Sequence, residues 1–279
     1  MPIISTEEVV EMVPRLSGKI GRKLIEMAMH SLRLDAVNAL YDRNAACKGA
    51  EFAKALFDDQ GISLKIGNPR RLLSLPQGAF ITVSNHPYGH IDGIALIDIF
   101  AHLRPDFKVM VNSIISRIKT LEENFITVVP TGRERTAPKT ESINGVREVL
   151  NSIRSGSPVG FFPSGAVSDL SIRDKCIRDR QWQEPALKLI RKAEVPVIPV
   201  RFFDRSSNFY YLLGLISSSV RLLRLPSEVL NKGGQAIRIG IGETIPVERQ
   251  KECGSLEEFG TMLRESVYSM PLPEEWKII

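Results

Sequence analysis

From about residue 62 onward the chain alternates between two hydrophobic periods, and this constrains its fold more than any other feature. Short apolar, β-branched runs stand at "ISLKI", "AFITVS", "KVMVN", "FITVV", "PVGFF", "VPVIPVRFF" and "AIRIGIG". Most are followed by longer stretches with helical spacing, among them "DGIALIDIFAHL", "KTESINGVREVLNSIRSG" and "WQEPALKLIRKA". Strands separated by helices predict an α/β domain: a central mixed, largely parallel sheet flanked by helices. "SLEEFGTMLRESVYSM" reads as a closing helix. Upstream, Leu16, Ile20, Leu24 and Met27 recur every three or four positions and predict a helix over residues 16–47. The expected division is a helical N-terminal region, 1–60, and an α/β domain, 61–279. Lys19, Arg22, Lys23 and Arg33 lie among the helix's apolar positions. Packing on the main domain is the default for such a helix, and an interfacial basic amphipathic helix is the sharper alternative.

Composition narrows the function. The 37 basic residues exceed the 32 acidic ones by five. That excess is mild, and no nucleic-acid-binding module accompanies it, so no nucleic-acid partner is expected. A mildly basic surface suits anionic lipids or phosphorylated substrates. Cys47, Cys176 and Cys253 are far apart and odd in number, which predicts reduced thiols rather than a disulfide framework. The N-terminus "MPIISTEEVVEMVPRL" lacks the charged start and apolar core of a signal peptide. No run reaches the roughly 18 apolar residues of a membrane span; "FYYLLGLISSSV" is closed off by Arg221.

The stretch "SNHPYGHIDG", Ser84 to Gly93, carries two of the four histidines and follows the run "AFITV". Ligands of open α/β sheets bind beyond the carboxyl ends of the strands, where this stretch lies. Pro87 keeps His86 out of the helical region, and Gly89 permits a sharp reversal. Three readings follow. Asp92 is an N-cap of the next helix, with the histidines as turn residues. Alternatively, His86, His90 and Asp92 bind a metal, although Pro87 and Gly89 break the helix that would put both rings on one face. The third reading is a histidine base whose tautomer is fixed by an aspartate.

"NHPYGHIDG" resembles the His–Asp motif of the glycerolipid acyltransferases, with five residues rather than the usual four between His86 and Asp92. That spacing is similar to the branch termed hemolysin-like or ornithine-lipid-type. "VVPTGRERT" falls where the family has its second, arginine-bearing block. "FFPSGAVSD" looks like the third block, and "VPVIPVRFFDRSSNFYYLLG" is similar to the fourth. "LLRLPSEVLNKGGQAIRIGIGETI" looks like the branch's C-terminal segment. The blocks keep the family's order over roughly residues 60–245, which is far more specific than one motif.

The resemblance implies transfer of a fatty acyl chain from an acyl-CoA or acyl-carrier-protein thioester to the hydroxyl of a lysolipid, at a membrane surface. His86 would be the general base and Asp92 its orienting partner. His90 falls at a variable position, as a turn residue or substrate contact. Arg133, Arg135, Ser164 and Gly165 would hold the acceptor or its phosphate. The thioester is a co-substrate, and no metal or bound cofactor is expected. The protein would sit peripherally on the cytoplasmic side of the membrane. The residues fit such chemistry on their own terms. No serine or cysteine nucleophile elbow is evident, and an activated thioester needs a base, positioning and oxyanion stabilisation. The third block departs from the family: Ser164 replaces its glutamate and Val167 its arginine. Arg133 and Arg135, or Lys175 and Arg178, are the candidate replacements. Loss of the two charges points toward a lyso-aminolipid acceptor, an N-acylated amino acid with a 3-hydroxyl, rather than lysophosphatidic acid. Trp182 is expected to anchor a helix start. "NFYYLLGLISSSVRLLRLP" is expected to pack in the core, with an acyl groove or membrane-facing surface as the alternative.

Overall fold

A computed structural model describes Val10 and residues 18–112, 118–128, 139–216, 221–222 and 224–279. Three helices open it: α1 (Lys19–Ser31), α2 (Leu34–Asn44) and α3 (Gly49–Asp59). The α/β part follows as β1 (Ser63–Gly67), β2 (Ile81–Ser84), α4 (His90–Ala101), β3 (Lys108–Asn112), β4 (Phe125–Val128), α5 (Lys139–Arg154) and β5 (Val159–Phe161). A hairpin of β6 (Asp169–Ser171) and β7 (Cys176–Arg178) leads to α6 (Glu184–Ala193), β8 (Val197–Phe202) and α7 (Asn208–Ile216). The chain ends with α8 (Glu228–Asn231), β9 (Ala236–Ile241), α9 (Val247–Lys251), α10 (Leu256–Tyr268) and β10 (Trp276–Ile278).

Eight strands form one sheet in the order β10-β1-β9-β8-β2-β5-β3-β4. The run from β8 to β4 is parallel throughout. β9 pairs antiparallel with β8 and parallel with β1, and β10 closes the edge antiparallel to β1. The sheet is therefore mixed and largely parallel, as the alternating periods predict. Side chains of period two divide between its faces. In β8, Ile198, Val200 and Phe202 join one core, while Val197 joins the other. The first core is covered by α2, α3 and α4, and the second by α5, α6 and α10. Every residue of α4 is buried, as expected of a helix that is apolar nearly all round.

Residues 16–47 do not make one helix. Arg33 takes the left-handed conformation at φ 57° and separates α1 from α2. Nothing local in the sequence marks this break. Packing of Leu34 against Ile25 and Met29 accompanies the turn and offsets a strain of about 1–2 kcal/mol. From Val37 onward the N-terminal helices share the main core. The hairpin β6–β7 and the edge strand β10 carried no clear period and were not expected. In α1 the apolar residues form two stripes. Ile25 and Met29 are buried, whereas Ile20, Leu24 and Met27 are exposed beside exposed Lys19, Arg22 and Lys23. No helix among the described residues is long and apolar enough to cross a membrane.

Gly145 lets α5 lie directly on β4. A Cβ there would stand 2.5 Å from Val128 Cγ1 and 2.6 Å from the Thr127 carbonyl oxygen. Backbone cannot yield as a flexible side chain does, so Gly145→Ala is expected to destabilise by about 1–3 kcal/mol. The expected observation is a lowered denaturant midpoint with an unchanged m-value; an unaltered midpoint would contradict this packing.

Candidate active site

The site is built on the turn between β2 and α4, at the carboxyl end of a central strand. Asn85 fixes the strand end: its amide donates to the Phe202 carbonyl at 2.9 Å and accepts from the Phe202 N–H at 2.8 Å. Pro87 then denies the backbone a helical path at His86. Gly89 adopts φ 77° and ψ −118°, a region open essentially to glycine. A Cβ at that point would also stand 2.8 Å from Leu225 and 3.0 Å from Val167. The helix begins at His90, so Asp92 is its third residue rather than its N-cap.

Asp92 serves the turn and the histidine at once. Its Oδ2 accepts from the Tyr88 N–H at 2.8 Å and the Gly89 N–H at 3.0 Å. The same oxygen lies 3.0 Å from His86 Nδ1. That distance suits a hydrogen bond, but the ring N–H meets the oxygen obliquely, outside good hydrogen-bond geometry. Such contacts commonly tighten only with substrate in place. Asp92 has no exposed surface. Burial pushes its carboxyl up to about 6, against the opposing pull of His86 and the two backbone donors. At neutral pH the carboxylate still ionises, and it favours the proton on Nδ1. That leaves Nε2 of His86 as the basic atom. The imidazole stacks on Phe162 with ring centroids 4.1 Å apart.

His86 and His90 line the same cleft of about 190 Å³. Its walls include Ile94, Met110, Val111, Phe125, Phe161 and Leu189, a surface suited to an alkyl chain. His90 is buried, with neither ring nitrogen hydrogen-bonded. Burial first, and His86 second, push it down to about 4, so it is neutral near pH 7. Among the described residues no three histidine, cysteine, aspartate or glutamate side chains are grouped as for a metal.

The remaining predicted residues fall differently. Gly165 borders the cleft, but its N–H closes a turn onto the Phe162 carbonyl at 2.9 Å. Ser164 is buried, and its hydroxyl donates to the Ala166 carbonyl at 2.7 Å. Val167 packs with Tyr210, Tyr211 and Leu225, so no cation stands at that position. Lys175 and Arg178 are exposed on the β6–β7 hairpin, away from the cleft lining. Arg133 and Arg135 lie outside the described residues. Sequence reasoning missed three groups that hold the turn: Asn85, Asp179 and Tyr211. Only Asn85 carried a local signal, an amide at the end of a strand.

Known proteins resemble this chain over most of its length. Residues 9–272 match the model of a family described as acyltransferase. A lyso-glycine lipid O-acyltransferase of Bacteroides thetaiotaomicron is 22% identical over 266 residues, covering 92% of this chain and 93% of the relative. A protein of the same name from Phocaeicola vulgatus is 24% identical over 260 residues, covering 90% and 88%. The crystal structure of the 1-acyl-sn-glycerophosphate acyltransferase PlsC from Thermotoga maritima superposes with a TM-score of 0.51 at 15% identity, covering 88% of this chain and 85% of that one. That likeness bears on the fold.

The raised carboxyl of Asp92 has a consequence for stability. Its folded-state value, about 6, lies above the 3.8 of an unstructured aspartate. As pH rises through that interval the unfolded chain releases the proton first, so ionisation costs the folded state stability. Asp92→Asn keeps an acceptor for the Tyr88 and Gly89 N–H groups and removes the buried charge. It is expected to melt no lower than the wild type at pH 8 and to lose any relative advantage below about pH 4. Thermal melts across pH 4–8 check this, and a variant clearly less stable at pH 8 would contradict it.

Proposed function

The chain belongs to the acyltransferase family, and from that membership and the cleft's geometry we propose that it transfers a fatty acyl group from a thioester to the hydroxyl of a lysolipid. The observation that carries the reading is His86 Nδ1 beside the buried Asp92 carboxylate, 3.0 Å apart, in a cleft with apolar walls. Nε2 of His86 takes the proton of the acceptor hydroxyl as its oxygen attacks the thioester carbonyl. The tetrahedral intermediate collapses with cleavage of the C–S bond. The departing thiolate takes the proton back from the imidazolium and leaves as a thiol. Asp92 holds the ring's tautomer and balances the transient positive charge. General-base help of this kind is worth about 10²–10⁴-fold. Acyl-CoA or acyl-carrier protein is the donor.

The acceptor best supported is a lyso-aminolipid, an N-(3-hydroxyacyl) amino acid such as the glycine form. Both curated relatives are named for a lyso-glycine lipid. The described cleft lining contains no lysine or arginine, and Val167 takes the place of a charged side chain. A phosphate monoester is poorly served by such walls, whereas an amide and an alkyl chain are well served. Enzyme and acceptor meet at a membrane surface in this reading. The exposed apolar and basic residues of α1 and the exposed Phe209, Leu212 and Ile216 of α7 support that placement.

Incubation with mixed acyl donors, N-(3-hydroxyacyl)glycine and lysophosphatidic acid, followed by mass spectrometry of the products, tests the proposal. The diacylated glycine lipid is expected as the major product; preferential acylation of lysophosphatidic acid would sink the acceptor assignment. His86→Ala is expected to lose at least about 10²–10⁴-fold in kcat, and Asp92→Asn to fall by about 10³–10⁴-fold with the fold intact. His90→Ala should keep substantial activity. Wild-type kcat should decline as pH falls through about 6, where Asp92 takes up a proton. An active His86→Ala beside a dead His90→Ala would reverse the assignment of the base.

A further inference from the structure

Three consecutive residues of the catalytic turn are held from three distant parts of the chain. Asn85 is bound by the backbone of Phe202 at the end of β8. The Pro87 carbonyl accepts from the Tyr211 hydroxyl of α7 at 2.5 Å. Between them, His86 is gripped on both sides of its backbone. Its carbonyl accepts from the Ser168 N–H at 2.8 Å. Its N–H donates to Oδ1 of Asp179 at 3.0 Å. His86 lies beyond the last paired residue of β2, so no strand neighbour is available for that N–H.

Asp179 is itself tightly held. It is 3% exposed. Oδ1 also accepts from the Ser168 hydroxyl at 2.6 Å, and Oδ2 from the Trp182 indole at 3.2 Å. Its own N–H donates to the Tyr268 hydroxyl at 2.8 Å, and its carbonyl accepts from Arg264 at 3.1 Å. Tyr268 closes α10, so this carboxylate ties the second core to the turn. We propose that Asp179 is a positioning residue: it fixes the backbone at His86 and thereby aims Nδ1 at Asp92 and Nε2 into the cleft. The inference rests on the functional reading above and deepens it. Asp179 touches neither reacting group. It acts through the peptide unit that carries the base, where displacements below 1 Å already cost rate.

Asp179→Asn is nearly isosteric, which protects the fold, but it frustrates the site. One amide face must offer an acceptor to the His86 N–H while the other sets an NH₂ against the Trp182 indole N–H. Adding Trp182→Phe removes that conflict and lets the carbonyl face His86. With N-(3-hydroxyacyl)glycine and acyl-CoA, Asp179→Asn is expected to lose about tenfold in kcat, with KM changed by less than about threefold. The double variant should recover to the level of Trp182→Phe alone, a coupling measured by the double-mutant cycle. Independently of turnover, the ¹⁵N shifts of the His86 ring should report an Nδ1–H tautomer in the wild type and in the double variant, and a mixture in Asp179→Asn. His86→Gln supplies the assignment. An Asp179→Asn protein with unchanged kcat and tautomer would overturn the proposal, as would a double variant no better than the single. If the unaltered protein transfers no acyl group, the functional reading fails, and the tautomer measurement alone decides the positioning.

Discussion

A carboxylate with no exposed surface stands at the third residue of α4, and the turn between β2 and α4 takes its form around that buried charge. Isolated, such a charge would not remain ionised in an apolar layer. It persists because the chain folds back over it: two successive backbone N–H groups and one imidazole nitrogen converge on a single oxygen. The reversal that brings those donors round requires Gly89 in its special conformation. The position near a helix N-terminus adds the favourable end of the helix dipole. The longer His–Asp spacing therefore does not separate the pair. The extra residue is absorbed in the turn, and Asp92 acts both as a local backbone acceptor and as the histidine's neighbour.

The cost of this arrangement is visible in the raised carboxyl of Asp92, the lowered imidazole of His90 and the poor alignment of His86 with its partner. Each signals polarity retained in a place where packing alone would favour an apolar side chain. A domain of this size buries ample hydrophobic surface elsewhere, including two cores on either face of an eight-stranded sheet. It tolerates a few such groups at the cleft.

Much of the architecture was legible from hydrophobic period. All seven apolar β-branched runs became strands of the main sheet, because central parallel strands are covered on both faces and demand such residues. What period could not show were elements short or half-exposed. The β6–β7 hairpin lies in the charged stretch "SDLSIRDKCIRD", with three residues per strand. β10 is an edge strand of three residues. The break at Arg33 uses a left-handed residue that is not glycine, so tertiary packing rather than local preference sets it. In the site, the pairing of His86 with Asp92 was legible because both residues lie in one seven-residue span. Ser164 was read as an acceptor contact, yet its hydroxyl is taken up by the turn itself, which residue identity at a motif position does not reveal.

Asp179 marks a more general boundary of that legibility. It lies 93 residues from His86 in sequence, within a charged segment where an aspartate reads as a solvated loop residue. Its contacts become visible only when the strand end, the third block and α10 are assembled: its carboxylate accepts from His86, Ser168 and Trp182, and Tyr268 and Arg264 of α10 hold its backbone. A side chain held in one orientation needs support against rotation of the peptide unit that carries it, and a β-strand cannot provide this past its last paired residue. Here the side chains of Asn85 just past β2, Tyr211 of α7 and Asp179 after β7 replace the missing ladder at three successive residues. The position of His86 is thus a property of the closed domain rather than of the local motif. Substitutions far from the cleft can therefore displace this one turn without touching the cleft lining.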